Sequence, residues 1–326
     1  MKTDVKANDD ANLKAGSRGK SNSELMKTIV PFFGLIFVIA LFAILTGGKL
    51  VAWTNIQRVL LQMVLLMIGS LGVTFTISHG NLDFSLGGVI GAAAMFSALA
   101  GTVHPALTIP FAILAAIICQ LCVVGGSILF DIPAFVVSLA MMFITRGLMM
   151  AATQTRQIVV PKAYLEWDEP YVYFIALAIV LVVLFFLFEY TKVGKYNRAI
   201  GSNYTAAVTS GVRVNKFKAL AFVVSGAALG VSAFLNLIRA GGITATTGAG
   251  FETNVLIALV LGGVSLTGGT NVRLRGAVIG CLILTVLENG LVMIGVQPNM
   301  VGTIKGIVFL TSIAFAYDRK TGQIIT

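Results

Sequence analysis

The sequence has few charged residues: only 11% of its 326 positions are Asp, Glu, Lys or Arg, whereas 57% are hydrophobic. An ordinary soluble domain carries about 25% charged residues. A water-soluble protein of this length would lack the polar side chains needed to cover its surface. The composition therefore excludes that class and predicts a protein surrounded largely by lipid. The 35 glycines agree, because glycine is commoner in membrane helices than in soluble ones.

The sequence is also poor in the groups that carry chemistry, with two histidines and three cysteines. Cys119 and Cys122 form a C-x-x-C that could suggest redox or metal chemistry, but no His, Asp or second cysteine pair lies nearby, so we interpret both as packing residues. The absence of a G-x-x-x-x-G-K-[ST] motif excludes ATP binding through a P-loop. We therefore predict no catalytic residue, metal site or bound cofactor in this chain, and no enzyme activity of its own.

Long apolar runs are abundant. A bilayer core about 30 Å thick needs roughly 20 apolar helical residues. Ten segments fit or approach this template: 29–47, 59–78, 86–102, 107–129, 133–153, 171–189, 217–238, 254–269, 276–295 and 299–317. The segment 254–269 is the weakest, because its "LVLGGVSLTGG" could form a broken or re-entrant helix. We predict an all-α polytopic membrane protein with about ten transmembrane helices, some of them broken or re-entrant.

The two ends of the chain complete the predicted domain organisation. Residues 1–28 mix both charges with Gly and Ser and have no apolar period, which predicts a disordered cytoplasmic lead. Residues 29–317 form the predicted transmembrane domain, which contains a polar loop at 190–218, and residues 318–326 form a short cytoplasmic tail. The first apolar segment is longer than a signal-peptide core, so we predict that it is an uncleaved span.

The distribution of Lys and Arg predicts the orientation, because short cytoplasmic loops are enriched in both. With ten spans and the first residue inside, sixteen of the 23 basic residues fall in four inner segments: 1–28, 190–218, 270–275 and 318–326. Five fall in the outer loops. The sequence thus predicts that both termini are cytoplasmic. The same asymmetry accounts for the net charge of +10 without a nucleic-acid partner.

The largest inner loop contains the stretch "GSNYTAAVTSGVRVNKFK". Asn203 can cap a helix there, and Gly211 can end it. Tyr204, Ala207 and Val208 then lie on one face of a two-turn helix, and we expect this to be a small-residue face. So short a helix is marginal alone in water, which favours docking in a groove of another protein. The alternative is a solvated basic loop that anchors the two neighbouring spans.

Several motifs resemble those of ribose-type permeases of ATP-binding-cassette (ABC) importers. The loop resembles G-x-N-x-x-A-A-x-x-S-G-[IV]-x-V-x-x-x-K through Gly201, Asn203, Ala206, Ala207, Ser210, Gly211, Val212, Val214 and Lys218. Three more segments resemble family motifs. "ISHGNLDFSLGGVIG" does so through Gly80, Asp83, Ser85 and Gly87, and "IPAFVVSLAMMFITRGL" does so through Pro133, Phe135, Leu139, Arg146 and Gly147. "GAGFETNVLIALVLGGVSLTGG" does so through Gly250, Glu252, Gly262, Gly263, Ser265, Gly268 and Gly269. With "LENGLVMIGVQP" they cover most of the chain in the family's order.

The resemblance implies a permease subunit in the cell inner membrane that translocates a monosaccharide or small polyol. In this family two permease copies, or two sister permeases, form the channel. A tandem-domain ATPase subunit binds ATP and Mg²⁺ below it, and a periplasmic or extracellular binding protein delivers the sugar. Membrane lipid surrounds the assembly. Residues 202–211 are then the coupling helix that fits a cleft in the ATPase, with Asn203, Tyr204, Ala206, Ala207, Ser210 and Gly211 as its characteristic residues.

Polar residues within or beside membrane spans are costly, so we take these as candidates for the translocation path or its gate: Asp83, Ser85, Arg146, Glu252, Asn254 and Glu288. Asp83 could instead cap the helix that follows it. Arg146 needs a partner, which Asp83 or Glu288 could supply, and a purely structural ion pair is the alternative. The departures from the family motifs include Asn254, which replaces a carboxylate, His79, which replaces a hydroxyl, and Asn81 and Phe84, which replace a glycine and a leucine.

Other functions also fit the residues. The same machinery could carry a nucleoside, a furanosyl signal molecule or a branched-chain amino acid. A stand-alone secondary transporter, driven by an ion or proton gradient, would need membrane carboxylates, for which Asp83 and Glu288 are candidates.

Overall fold

The structure, a computed structural model, describes residues 30–154, 158–160, 162–318 and 323–324. In that part the chain forms twelve α-helices: α1 (Val30–Leu45), α2 (Trp53–Ile77), α3 (Leu86–Val103), α4 (Thr108–Leu129), α5 (Ala134–Thr153), α6 (Pro170–Glu189), α7 (Lys192–Ser202), α8 (Tyr204–Thr209), α9 (Val214–Ala240), α10 (Phe251–Leu261), α11 (Leu274–Met293) and α12 (Pro298–Ala316). Three 3₁₀ turns lie at Lys49–Val51, Pro105–Leu107 and Lys162–Trp167. The predicted lead at 1–28 lies outside the described residues, as does most of the tail.

In the described part of the chain, β-strands occur only as two short antiparallel pairs. Its four strands are β1 (Ile158–Val159), β2 (Gly242–Ile243), β3 (Tyr317–Asp318) and β4 (Gln323–Ile324). β1 pairs antiparallel with β2, and β3 pairs antiparallel with β4. The predicted all-α class is therefore confirmed for these residues.

Seven helices of the described chain are long and apolar enough to cross a membrane: α2, α3, α4 with the 3₁₀ turn before it, α5, α6, α9 and α11. α1 and α10 are apolar but shorter. Each of the ten apolar segments of the sequence contains one helix. The multi-pass membrane class is therefore confirmed, whereas the count of ten spans and the cytoplasmic termini stay predictions.

The segment 254–269, the weakest of the predicted spans, does not form one continuous helix. The helix in this region, α10, has 11 residues and ends at Leu261. Gly263 follows with φ of +75°, a conformation that glycine adopts at little cost. The chain then turns through residues 262–273 before α11 begins. The broken helix that the sequence offered as the alternative describes this segment.

The segment between α9 and α10 enters the bundle. The carbonyl of Gly87, in the first turn of α3, contacts Gly248 of this segment. Near the other end of α3, Ser97 Oγ donates a 2.8 Å hydrogen bond to the carbonyl of Thr108, at the start of α4. Ten residues of helix from Gly87 to Ser97 span about 15 Å. Gly248 therefore packs beside the first turn of α3, about 15 Å along that helix from Ser97.

Close helix packing in the centre of the bundle depends on small residues. A Cβ on Gly230 of α9 would lie 2.5 Å from Ile113 Cα of α4, and one on Gly226 would lie 2.8 Å from Ile117 Cα. The two helices approach each other at the distance that only glycine permits. This is the packing that membrane helices use in place of a hydrophobic driving force.

Candidate functional site

Two turns and a short helix meet at one end of the bundle, which we call the α8 end. The N–H of Gly269 donates a 3.0 Å hydrogen bond to the carbonyl of Ser78, which follows α2. Gly201, near the end of α7, contacts the same carbonyl so closely that a Cβ would not fit. The N–H of Thr270 donates to Ser202 Oγ at 2.9 Å. The end of α2, the end of α7 and the loop before α11 therefore form one unit.

This unit supports α8, the helix that the sequence predicts in the polar loop. Asn203 Oδ1 accepts a 2.9 Å hydrogen bond from the N–H of Ala206, so the predicted cap is present. Gly211 has φ of +80°, and the next N–H, that of Val212, returns to the carbonyl of Ala207 at 3.1 Å. This is the helix end that a glycine at that position predicts.

The exposed face of α8 differs from the one inferred from the sequence. Ala207 is 6% exposed and packs with Ile200 and Val214, so it seats the helix on its own chain. Tyr204 is 60% exposed and Val208 is 47% exposed. The other coupling-helix residues expected from the sequence, at 203, 206, 210 and 211, are exposed as well. The outward face therefore presents an aromatic and a branched apolar side chain rather than a small-residue surface.

His79 lies behind this end, in the turn after α2. Burial lowers the pKa of its imidazole to about 4, and the positive charge of Lys218 acts in the same direction, against weaker opposing contacts with the Phe75 backbone and the Asn197 side chain. Neither ring nitrogen makes a hydrogen bond of normal geometry, nor do the amide atoms of Asn197. His79 is therefore a neutral, buried side chain at neutral pH.

Asp83 lies in the break between α2 and α3 and is 1% exposed. Its Oδ1 accepts hydrogen bonds from the N–H of Ser85 at 2.8 Å and from Ser85 Oγ at 2.6 Å. Its Oδ2 accepts from Gln120 Nε2 of α4 at 2.7 Å. The N–H of Phe84 donates to Ser138 Oγ of α5 at 3.0 Å. The break is thus tied to two neighbouring helices, and both carboxylate oxygens of Asp83 are engaged.

Arg146 and Glu252 converge on Gly87 from the other side of the same helix turn. A Cβ on Gly87 would lie 3.1 Å from Arg146 Nη2 and would overlap Glu252 Oε2. Arg146 Nη1 donates a 2.8 Å hydrogen bond to the carbonyl of Thr247. Glu252 Oε2 is inaccessible to solvent and has no hydrogen-bond partner among the described residues. The position thus combines a guanidinium donor with an unused carboxylate acceptor beside the first turn of α3.

The loop beside this position carries exposed hydroxyls. The N–H of Thr244 donates a 2.9 Å hydrogen bond to Thr247 Oγ1. The hydroxyl oxygens of Thr244 and Thr246 lie 3.1 Å apart. Thr244 and Thr246 are exposed, although the loop reaches the level of the first turn of α3. Irregular backbone at membrane depth is tolerated only against protein or a water-filled cavity. Wherever such a loop lies within the membrane, it therefore needs a cavity or a partner chain beside it rather than lipid.

Glu288 and Asn254 meet through a lysine. Lys305 Nζ of α12 contacts Glu288 Oε1 of α11 at 2.6 Å and donates to Asn254 Oδ1 of α10 at 2.8 Å. The side chains of Lys305 and Glu288 are 16% and 30% exposed. The amide at position 254 gives the lysine a neutral acceptor, so the cluster holds one positive and one negative charge. It links three helices through an ion pair.

The six path candidates therefore fall into three pairs: Asp83 with Ser85, Arg146 with Glu252, and Asn254 with Glu288. The two carboxylates that the sequence suggested as partners for Arg146 have other partners, Gln120 for Asp83 and Lys305 for Glu288. Gln120, Thr247 and Lys305 were not among the candidates. An amide in the middle of an apolar helix was the available signal for Gln120, but nothing in the sequence indicates which residue it contacts.

Comparison with known proteins places these features in a family. Residues 55–313 match the profile described as "Branched-chain amino acid transport system / permease component". The ribose import permease protein RbsC of Bacillus subtilis (strain 168) is 30% identical over 309 residues, which cover 91% of this chain and 94% of that protein. RbsC of Escherichia coli (strain K12) is 27% identical, over 86% of this chain and 91% of that protein.

A further relative is named for a different solute. The autoinducer 2 import system permease protein LsrC of Photorhabdus luminescens is 26% identical over 293 residues, which cover 86% of this chain and 88% of that protein. No solved structure gives a significant match. The family profile covers most of the chain, and several helices are apolar enough to cross a membrane. These two findings establish the family of the chain. The chain is a multi-pass inner-membrane protein that belongs to the family of transport-system permease components, as its ribose-type motifs indicate.

Proposed function

We propose that this chain is the membrane permease subunit of an ABC importer that moves a monosaccharide or small polyol into the cytoplasm. The position formed by Arg146 and Glu252 carries this proposal. A guanidinium donates hydrogen bonds and a carboxylate accepts them, so together they suit adjacent hydroxyl groups, each of which both donates and accepts. The names of the ribose and autoinducer 2 permeases support a small hydroxylated solute.

The loop between α9 and α10 supports a conduit beside that position. Its exposed hydroxyls suit a polar neighbour, which a second permease copy or a sister permease would supply by completing a water-filled path. The same loop forms the gate, and its outer part receives the extracellular binding protein. Asp83 and Ser85 hold the adjoining break in place, whereas Asn254 and Glu288 fix the packing of α10 to α12.

The α8 end supports coupling to a separate ATPase that binds ATP and Mg²⁺. In this proposal the α8 end is cytoplasmic, and the exposed Tyr204 and Val208 fit a cleft of the ATPase. Movement of α8 reaches α2 and the loop before α11 through Gly201 and Ser202, because these residues are packed or hydrogen-bonded to both. Alternating access then follows from two packings of one bundle.

Reconstitution tests the proposal against a secondary transporter. Proteoliposomes that contain the permease, the ATPase and a sugar-loaded binding protein should take up the sugar only when ATP is present. Uptake by the permease alone, driven by a proton or sodium gradient, would contradict the proposal. The structure does not favour that alternative, because Asp83 is fully engaged in hydrogen bonds and Glu288 is paired with Lys305.

A further inference from the structure

A groove lies between the first half of α6 and the second half of α9, at the end of the bundle away from α8. It has a volume of about 620 Å³. Its lining includes the side chains of Trp167, Tyr171, Ile175, Ile179, Val231 and Phe234. No charged residue is among the described residues that line it, and none of the candidates for the translocation path is. The groove is therefore a separate site, and its lining suits an apolar ligand rather than a sugar.

One wall of the groove faces lipid. α6 is a candidate membrane span, and only 17% of its most apolar stretch is buried. Ile175 and Ile179, which form this wall, are 56% and 59% exposed. The floor belongs to α9, where Phe234 and Leu235 are buried. Because an exposed isoleucine within a membrane span contacts hydrocarbon, the groove is open to lipid on one side and closed toward the bundle.

The dimensions of the groove fit a single hydrocarbon chain. α6 has 20 residues and is about 30 Å long, which is the thickness of a bilayer core. Its lining residues run from Tyr171 to Val180, about 14 Å along the helix axis, so the groove covers the depth of one leaflet. The volume divided by that length gives a cross-section of about 45 Å², roughly half that of an α-helix with its side chains, which is about 10–12 Å across. An extended acyl chain fits this space, and a helix of a partner protein does not.

An aromatic cluster marks one end of the groove. The rings of Trp167 and Phe234 each meet the ring of Tyr164 edge to face, with centroids 5.0 Å and 5.4 Å away. Tyr164 Oη donates a 2.8 Å hydrogen bond to the carbonyl of Pro105, which fixes the cluster to the turn before α4. Tryptophan and tyrosine are enriched where a membrane meets water. A lipid whose headgroup lies at this cluster would therefore place its acyl chain along the groove.

The groove is built into the fold, because α6 is fastened at both ends to elements other than α9. Near its start, Tyr173 is buried and donates a 2.6 Å hydrogen bond from Oη to Asp168 Oδ1. Near its end, the Phe188 ring meets the Phe75 ring of α2 edge to face, with centroids 5.0 Å apart. α6 thus cannot close on α9 without breaking these contacts. An empty groove would forfeit the dispersion contacts of its walls, which an acyl chain restores.

We propose that this groove binds one acyl chain of a membrane phospholipid from the leaflet at the end away from α8. Only the membrane class of the chain enters this assignment, which is independent of the proposed function and of the orientation of the termini. The bound chain would pack α6 against the second half of α9, which ends at Ala240 and leads into the loop beside Arg146. The lipid would thereby stabilise the helix that precedes this loop.

Trp167 is the reporter for a binding test, because the chain has one other tryptophan, Trp53, which the substitution W53F removes. The purified W53F chain, delipidated in a neutral detergent, is titrated with phosphatidylcholine that carries bromine on one acyl chain, since bromine quenches tryptophan fluorescence on contact. We expect quenching that saturates, and we expect the same lipid without bromine to reverse it. Quenching that rises without saturation, or that the unbrominated lipid leaves unchanged, would overturn the proposal.

Variants then locate the acyl chain. A176F fills the groove, because Ala176 lines it, whereas A178F places the same ring on an exposed position of α6 outside the lining. In the W53F background, A176F should raise the half-saturating lipid concentration at least tenfold, and A178F should leave it unchanged. If A176F is not recovered folded, A176L is compared with A178L in the same way.

Two further results would contradict the assignment. Equal quenching in the variants at 176 and 178 would place the lipid elsewhere on the surface. Quenching that weakens as the protein concentration rises would assign the groove to a second copy of the chain. Either result would leave the transport proposal in place, because uptake is not measured.

Discussion

Arg146 and Thr247 lie 101 residues apart in the sequence, and the Arg146 guanidinium donates a 2.8 Å hydrogen bond to the Thr247 carbonyl. The contact fastens α5 to the loop that enters the bundle between α9 and α10. It also holds the second guanidinium nitrogen, Nη2, beside Gly87 and near Glu252. A change in the position of α5 would therefore be transmitted directly to the loop between α9 and α10.

Removing the charge of Glu252 tests its role in the path. E252Q keeps the size of the side chain but replaces an acceptor oxygen by a donor, so a hydroxyl that donates to that oxygen loses its partner. We expect ATP-driven uptake to fall by about tenfold, which corresponds to about 1.4 kcal/mol and is typical of one lost hydrogen bond. Membrane insertion and melting temperature should change little. The exposed E166Q is the matched control, and uptake by E252Q equal to that of E166Q would remove Glu252 from the path.

Asp83 should behave differently, because its role in the structure is to hold the break before α3. D83N places an amide N–H₂ where hydrogen bonds from Ser85 and Gln120 arrive, so at least one donor faces another donor. An unsatisfied buried group costs about 1–3 kcal/mol. The melting temperature and the yield of folded protein should therefore drop. A D83N protein that melts like the wild type yet fails to transport would instead place Asp83 in the path.

A double-mutant cycle tests the ion pair between Lys305 and Glu288. K305M leaves the carboxylate of Glu288 without its partner in an apolar environment. We expect a loss of about 2 kcal/mol in the free energy of unfolding, below the 3–5 kcal/mol of fully buried pairs because Glu288 is 30% exposed. The double variant K305M/E288Q should recover most of this loss in chemical denaturation. Additive losses would show that the two side chains do not interact.

Acid should destabilise the protein through His79. Its pKa is about 4 in the folded state and 6.5 in the unfolded chain, so above pH 6.5 the imidazole is neutral in both states and stability is complete. As the pH falls from 6.5 toward 4, the unfolded chain binds a proton that the folded state excludes, and the free energy of unfolding decreases by up to about 3 kcal/mol. H79Q should melt with a weaker pH dependence over this range.

The matched control for that experiment is H104Q, because His104 is exposed and lies away from the α8 end. Its melting temperature should follow that of the wild type as the pH falls. Identical pH profiles of H79Q and the wild type would show that another group causes the acid sensitivity.

The sequence predicted the helices well and the contacts between polar residues poorly. Apolar length alone locates the helices, because the cost of an unpaired backbone in lipid leaves little choice of structure. The cap at Asn203 and the end at Gly211 could also be predicted, since both depend on a few adjacent residues. Partners such as Gln120 for Asp83 depend on how distant helices are placed, which no local pattern records.

The orientation of Ala207 could not be predicted from the spacing of residues in α8. A short helix with one small residue on each turn can turn its small face toward its own chain or toward a partner, and the spacing is the same in both cases. In the folded chain Ala207 is buried against Ile200 and Val214, so the small side chain faces inward. The outward face is thus set by packing between α7, α8 and the start of α9.

The central claim is that a partner ATPase drives this permease through α8, and charge on the outward face of that helix tests it most directly. V208D places a carboxylate at the proposed contact while Ala207, which seats the helix, is untouched. ATPase retained by the immobilised permease and ATP-driven sugar uptake are measured together, with K49D at the opposite end of the bundle as the control. We predict that V208D inserts and melts normally but loses ATPase binding and uptake by at least tenfold, whereas K49D keeps both. Full ATPase binding and uptake by V208D would contradict the account.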